Sequence, residues 1–271
     1  MSTSSALLRE TDDTPERGRL VEGDFGAHWG GFARVPGARA CGGPDVRWVA
    51  SGTPVMNRVW GARFSAGDAA RRIDEVRDVF RARGVPATWL VAPHDRPPEL
   101  ARMLARAGFA RDEAARGMSL ELDALAHVAA PGDGFAVREA ASHEDVTRWA
   151  ELYAAALGLE RDHGRGLARL YAHRVDEGAP LRLFEGLLDG RPVTVCALHG
   201  MGRVVGVHDV ATRSDARRCG LARALVAAAL TRARGCGARL AVLLAPRATE
   251  PLYTSLGFAG HQTWGVYRWN P

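Results

Sequence analysis

Between an apolar segment that ends at Thr212 and an alanine-rich one that begins at Leu221, the chain reads Arg217-Arg218-Cys219-Gly220-Leu221-Ala222-Arg223. A loop that enters a helix there leaves several backbone N–H groups unpaired, with the positive end of the helix dipole behind them. Gly220 and Ala222 let a phosphate approach the backbone, and Arg217, Arg218 and Arg223 add charge at the rim. The combination is a diphosphate cradle. It is neither G-x-G-x-x-G nor G-x-x-x-x-G-K-[ST], so dinucleotide and P-loop readings fail residue by residue. Charge is gathered in the same place. Residues 203–239 hold eight arginines against Asp209 and Asp215, a balance of +6, whereas the rest of the chain sums to −1. All 36 basic residues are arginine, and the excess points to a phosphate-bearing ligand and away from nucleic acid.

The elements that must position this loop follow from periodicity. Residues 204–212 read as the strand that feeds it and residues 221–234 as the helix that leaves it, with a strand at 240–245 beyond. Strands are also expected at 46–50, 59–64, 88–92, 135–138, 181–188, 192–199 and 264–269. Helices are expected at 69–83, 97–107, 142–157 (with Ser142 as N-cap), 163–175 and 250–256. Thr88-Trp89-Leu90-Val91-Ala92-Pro93, a helix and Ala107-Gly108-Phe109-Ala110 parallel Val242-Leu243-Leu244-Ala245-Pro246, a helix and Leu256-Gly257-Phe258-Ala259. Strand, helix, Gly-Phe, strand occurs twice, which is read as duplication. The expected division is a flexible tail over 1–15, one α/β unit over 16–125, a linker over 126–134 (AHVAAPGDG) and a second unit over 135–271.

On Arg217, Gly220 and Ala222, and on Pro251-Leu252-Tyr253-Thr254-Ser255-Leu256-Gly257-Phe258, the chain resembles the GNAT superfamily of acyl-CoA-dependent N-acyltransferases. The first set meets the signature R/Q-x-x-G-x-G/A, and the second meets the aromatic turn before Leu-Gly-Phe. The resemblance covers residues 135–271. The first half looks like the degenerate N-terminal unit of tandem members, because residues 64–72 (FSAGDAARR) are a poor substitute for the loop. It implies two GNAT-like domains built on mostly antiparallel mixed sheets flanked by helices, with one working site for acetyl-CoA. It also implies Tyr253 as the acid for the departing thiolate and His208 as the preferred base, although Gly206 stands where other members carry Glu. Val210, Ala211 and Thr212 would supply backbone contacts to the acyl arm, and Arg217, Arg218, Cys219, Gly220, Leu221, Ala222 and Arg223 the phosphate contacts. By strand alternation Asp209 faces away from His208. Glu185 is weighed as a contact for a cationic acceptor and, more simply, as a solvated strand carboxylate. The tryptophans read as core and interface residues.

The four cysteines form no C-x-x-C pair, and the nine histidines have no metal-ligand spacing, so neither a disulfide framework nor a metal is expected. No stretch approaches the roughly 18 apolar residues of a membrane span. Residues 1–19 resemble neither a secretory signal nor a transit peptide, which suggests the cytoplasm. The expected partner is a small-molecule amine, without nucleic acid or membrane, met by a monomer or homodimer. Two alternatives stay open: a non-catalytic acyl-CoA-binding regulatory module and a GNAT-fold acyl-CoA decarboxylase.

Overall fold

The computed structural model describes residues 14–200 and 202–271. The expected tail lies outside them up to residue 13, and Thr14 and Pro15 already open the first helix, α1 (Thr14–Gly31). Five glycines give α1 a poor intrinsic preference for the helical state. It forms because Val21, Phe25 and Trp29, continued by Phe32, bury one face at helical spacing. Two of its glycines are close-packing positions. A Cβ at Gly18 would stand 2.7 Å from Gln262 Oε1, and one at Gly31 would stand 1.9 Å from the Arg174 guanidinium. The residues that hide this helix in the sequence are the ones that let it lie close on its neighbours.

Three strands follow, β1 (Arg39–Gly42), β2 (Arg47–Ala50) and β3 (Arg58–Trp60), then α2 (Ala69–Arg81), β4 (Ala87–Val91) and α3 (Leu100–Arg106). β5 (Ala110–Arg111) and β6 (Ala115–Glu121) complete the first half. The second half runs β7 (Phe135–Glu139), α4 (His143–Ala156), α5 (Arg161–Asp176), β8 (Leu181–Leu188), β9 (Arg191–His199) and β10 (Val204–Thr212). It ends with α6 (Leu221–Gly235), β11 (Leu240–Pro246), α7 (Glu250–Thr254) and β12 (Ala259–Trp269). Ser142 caps α4 as expected, accepting from the Asp145 N–H while the Asp145 carboxylate accepts from the Ser142 N–H.

The strands form one mixed, mostly antiparallel sheet in the order β1-β2-β3-β4-β12-β6-β11-β10-β9-β8-β7, with β5 on β12. The halves exchange strands. β6 pairs with β11, Ser119 opposite Val242, and β12 pairs with β4, Leu90 opposite Val266. Side-chain alternation sorts the two faces. Val242 and Trp264 join the core under α1, α4 and α5, whereas Ala241 and Leu243 join the one under α6 and α7. Trp89 and Tyr267 join a third under α2 and α3.

The internal repeat has a structural cause. After α7, Gly257 takes φ +101° and the Phe258 N–H donates to Tyr253 O at 3.1 Å. After α3, Gly108 takes φ +87° and the Phe109 N–H donates to Leu104 O at 3.0 Å. Each Gly-Phe is the left-handed cap of a helix, and each Phe is buried. The parallel pairs β3/β4 and β10/β11, each joined by a helix, repeat the same order.

Candidate active site

β10 and β11 pair only at Val204/Leu240, Val205/Ala241 and Gly206/Val242. Past Gly206 they fork, and a cavity of about 640 Å³ opens between Val207, His208, Asp209 and Val210 on one side and Leu244, Pro246, Thr249 and Tyr253 on the other. The expected cradle lies at the end of the β10 arm. Arg218 (φ +66°) and Gly220 (φ +75°) turn the chain into α6, whose first backbone bond runs from the Ala224 N–H to Gly220 O. The N–H groups of Leu221, Ala222 and Arg223 therefore stand ahead of the helical ladder. A Cβ at Gly220 would meet nothing within 4 Å, so the loop is open there. The fit to a diphosphate rests on this open left-handed turn and its unladdered donors.

The side chains of the loop divide the labour differently from the expectation. Arg217 donates to Thr212 O (3.1 Å) and Ala156 O (2.7 Å), so its guanidinium ties the loop to β10 and α4. Arg223 donates to Ser255 O at 3.3 Å. Arg218 and Cys219 are exposed, and Ala211 O accepts from Thr194 Oγ1. In the matching loop of the first half, the Asp68 and Ala69 N–H groups both donate to Ser65 O.

At the fork the structure gathers a buried polar cluster. Asp24 of α1 lies 2.8 Å from His208 Nε2 and 3.0 Å from His199 Nδ1. A carboxylate only accepts, so both nitrogens carry hydrogen and Nδ1 is the basic nitrogen of neutral His208. A Cβ on Gly206 would stand 2.0 Å from Asp24 Oδ2. The missing side chain at Gly206 is the room that Asp24 occupies. Burial alone disfavours imidazolium at His208, but the Asp24 charge and hydrogen bond outweigh it and raise the pKa above 6.5. Burial would raise Asp24, and the charge and hydrogen bonds of His208 and His199 hold it well below the usual carboxylate range. His28 stacks on His208, centroids 3.8 Å apart, and burial lowers its pKa to about 4.

Asp209 does not face away from His208, and the reason is a bulge. Pairing with β9 slips between His208 and Ala211, and Asp209 takes φ +52°, which breaks the alternation. Its carboxylate turns into the same cluster, accepting from the hydroxyls of Tyr153 (3.1 Å) and Tyr171, with His28 Nε2 3.5 Å away. Burial opposes its charge, yet the His28 contact and the neighbouring hydroxyl bring its pKa to about 2. Glu185 is fully buried on β8 and held by Arg138 (2.7 Å) and Arg148 (3.2 Å), so it neither meets an acceptor nor is solvated. Tyr253 lines the cavity edge-on to Phe258, and burial raises its pKa, keeping the phenol protonated at neutral pH. Asp24, His28, His199, Tyr153 and Tyr171 escaped the sequence reading. Gly206 was the one trace of them.

The mixed sheet with its forked parallel pair has the fold of solved GNAT proteins. Residues 144–258 match the model of the acetyltransferase (GNAT) family. A GCN5-related N-acetyltransferase from Kribbella flavida shares the fold at TM-score 0.65 and 19% identity, over 94% of this chain and 95% of that one. A GCN5-related N-acetyltransferase from Sphaerobacter thermophilus matches at TM-score 0.61 and 16% identity, over 84% and 81%. A tandem GNAT protein from the clavulanic acid biosynthesis pathway matches at TM-score 0.58 and 17% identity, over 96% of each chain. No curated protein matches the sequence.

Proposed function

We propose that this protein is an acyl-CoA-dependent N-acyltransferase that moves an acetyl group from acetyl-CoA to a primary amine of a small molecule, by direct attack in a ternary complex. Residues 135–271 would form the catalytic unit and 16–125 a degenerate partner, joined by 126–134. The observation that carries the reading is the Asp24–His208 pair at the fork, in one cavity with Tyr253 and beside an open, donor-rich loop. Acetyl-CoA supplies an acyl group already activated as a thioester. Leu221, Ala222 and Arg223 N–H groups hold its diphosphate, and Val210, Ala211 and Thr212 line the way to the fork. An alkyl ammonium with pKa near 10 must lose a proton before attack. His208 Nδ1 takes it, while Asp24 orients the ring and stabilises the imidazolium. Tyr253 then protonates the departing thiolate. Backbone N–H groups of β10 past Gly206, which β11 does not pair, meet the oxyanion. A cytoplasmic location without nucleic acid or membrane completes the proposal; no described helix is long and apolar enough to cross a membrane.

The test is release of CoA thiol from acetyl-CoA with a panel of primary amines. Amine-dependent release supports the reading. Binding of acetyl-CoA with no release under any amine returns a regulatory module, and carbon dioxide from malonyl-CoA without amine returns a decarboxylase.

A further inference from the structure

The cavity at the fork runs on under the first half of the chain, where Phe25, Trp29 and Val55 line it together with Arg58. Arg58 belongs to β3, opposite Thr88 of β4, and its guanidinium lies 4.5 Å from the centre of the Trp29 ring. Its one hydrogen bond among the described residues runs from Nη1 to Asn57 O at 3.1 Å, and no carboxylate there lies within 4.0 Å. The other cavity arginine, Arg268, is already paired with Asp112. Burial lowers the pKa of Arg58, with the charge of Asp209 acting against it, but guanidinium stays charged in proteins. A forked guanidinium that makes no ion pair among the described residues and lies on an aromatic face suits a carboxylate. His208 and Asp209 line the same cavity. Apolar side chains of the wall include Leu157, Leu159 and Val266.

We propose that the acceptor is an amine that also carries a carboxylate, an amino-acid-like molecule with an apolar body, whose carboxylate pairs with Arg58 while its amine meets His208. This rests on the acyl-transfer reading and narrows its substrate class. The acceptor-reading residues thus come from the first half of the chain, α1 and β3, and not from Glu185.

The experiment is calorimetric titration of the full chain, with CoA present, using probes that differ only in one pole. 3-Phenylpropanoate has the carboxylate alone, 2-phenylethylamine the amine alone and L-phenylalanine both; 6-aminohexanoate and hexylamine extend the spacing. At least one carboxylate probe is expected to bind about tenfold to a hundredfold more tightly than its matched amine. R58Q is expected to erase that difference. R58K, which keeps the charge over Trp29 but loses the fork, is expected to lose about tenfold and serves if R58Q does not fold. The proposal is overturned if the carboxylate adds no affinity in any pair, or if the variants bind the acids as the parent does. Thiol release from acetyl-CoA in the same mixtures separates the two readings. Release with amines and no carboxylate preference sinks this inference alone. Arg58-dependent binding of the acids with no release for any amine sustains the anion site and sinks acyl transfer.

Discussion

Replacing Asp24 by Asn keeps the shape beside His208 and removes the charge. In the parent the carboxylate lies 2.8 Å from His208 Nε2, and the two side chains are only 11% and 9% exposed. Attraction between unit charges at 4 Å is roughly 4 kcal/mol at an effective dielectric of 20. Burial of both groups offsets part of it, and the net effect in the parent is a His208 pKa above the ordinary 6.5. Each unit of that shift corresponds to about 1.4 kcal/mol. The sign follows directly. Neutral His208 is the base, so the rising limb of kcat/KM against pH reports its deprotonation, and loss of Asp24 moves that limb to lower pH. The plateau falls as well, because a weaker and poorly oriented base removes part of the roughly 100-fold to 10,000-fold that general-base catalysis contributes. The assay is thiol release from pH 5.5 to 9 in the parent and in D24N, with acetyl-CoA affinity as the control for folding. A limb at the same pH in both proteins would refute the Asp24–His208 pair as the proton-accepting unit.

Other outcomes are expected from the same geometry. Gly206→Ala places a methyl 2.0 Å from Asp24 Oδ2 and should reproduce the D24N pH profile without touching either ionisable group; an unaltered profile there would separate Gly206 from Asp24. Tyr253→Phe should lower turnover by about 10-fold to 100-fold and leave the acetyl-CoA dissociation constant in place, and equal turnover would end the acid assignment. Gly220→Trp should abolish acetyl-CoA binding, because the φ of +75° costs a side chain about 1–2 kcal/mol and the indole fills the open side of the loop; calorimetry that finds the parent affinity would undo the cradle. His28 has a folded pKa of about 4 against about 6.5 unfolded, so the unfolded chain binds more protons between those values and stability declines as pH falls from 6.5 to 4. His28→Phe should remove about 3 kcal/mol of that decline in urea melts at pH 7 and pH 4, and an equal slope in the variant would contradict a neutral buried imidazole.

Much of the second half was legible because its motifs are local. The cradle loop, the Ser142 cap and the two Gly-Phe caps depend on residues a few positions apart, whose chemistry acts on their own backbone. α1 was not, since its glycines read as a loop until Gln262 and Arg174 are seen against them. β6 was missed because Arg116, Gly117 and Ser119 interrupt any alternation, and only its place between β11 and β12 makes it a strand. Asp209 was turned the wrong way because one bulge reverses the facing of every residue after it. Asp24 joins His208 across 184 positions of chain, and no local pattern announces such a meeting. With β6 and β12 exchanged between the halves, α1 and β3 of the first half come to line the cavity at the fork, through Phe25, Trp29 and Arg58.

The most direct test of the account is to incubate the protein with acetyl-CoA isotopically labelled in its acetyl group and an accepted amine, and to follow the label by mass spectrometry. Labelled acetyl is expected on the amine nitrogen, with none retained on the protein and an equal amount of free CoA thiol. Label recovered only as acetate, or held covalently on the chain, would contradict direct transfer at this site.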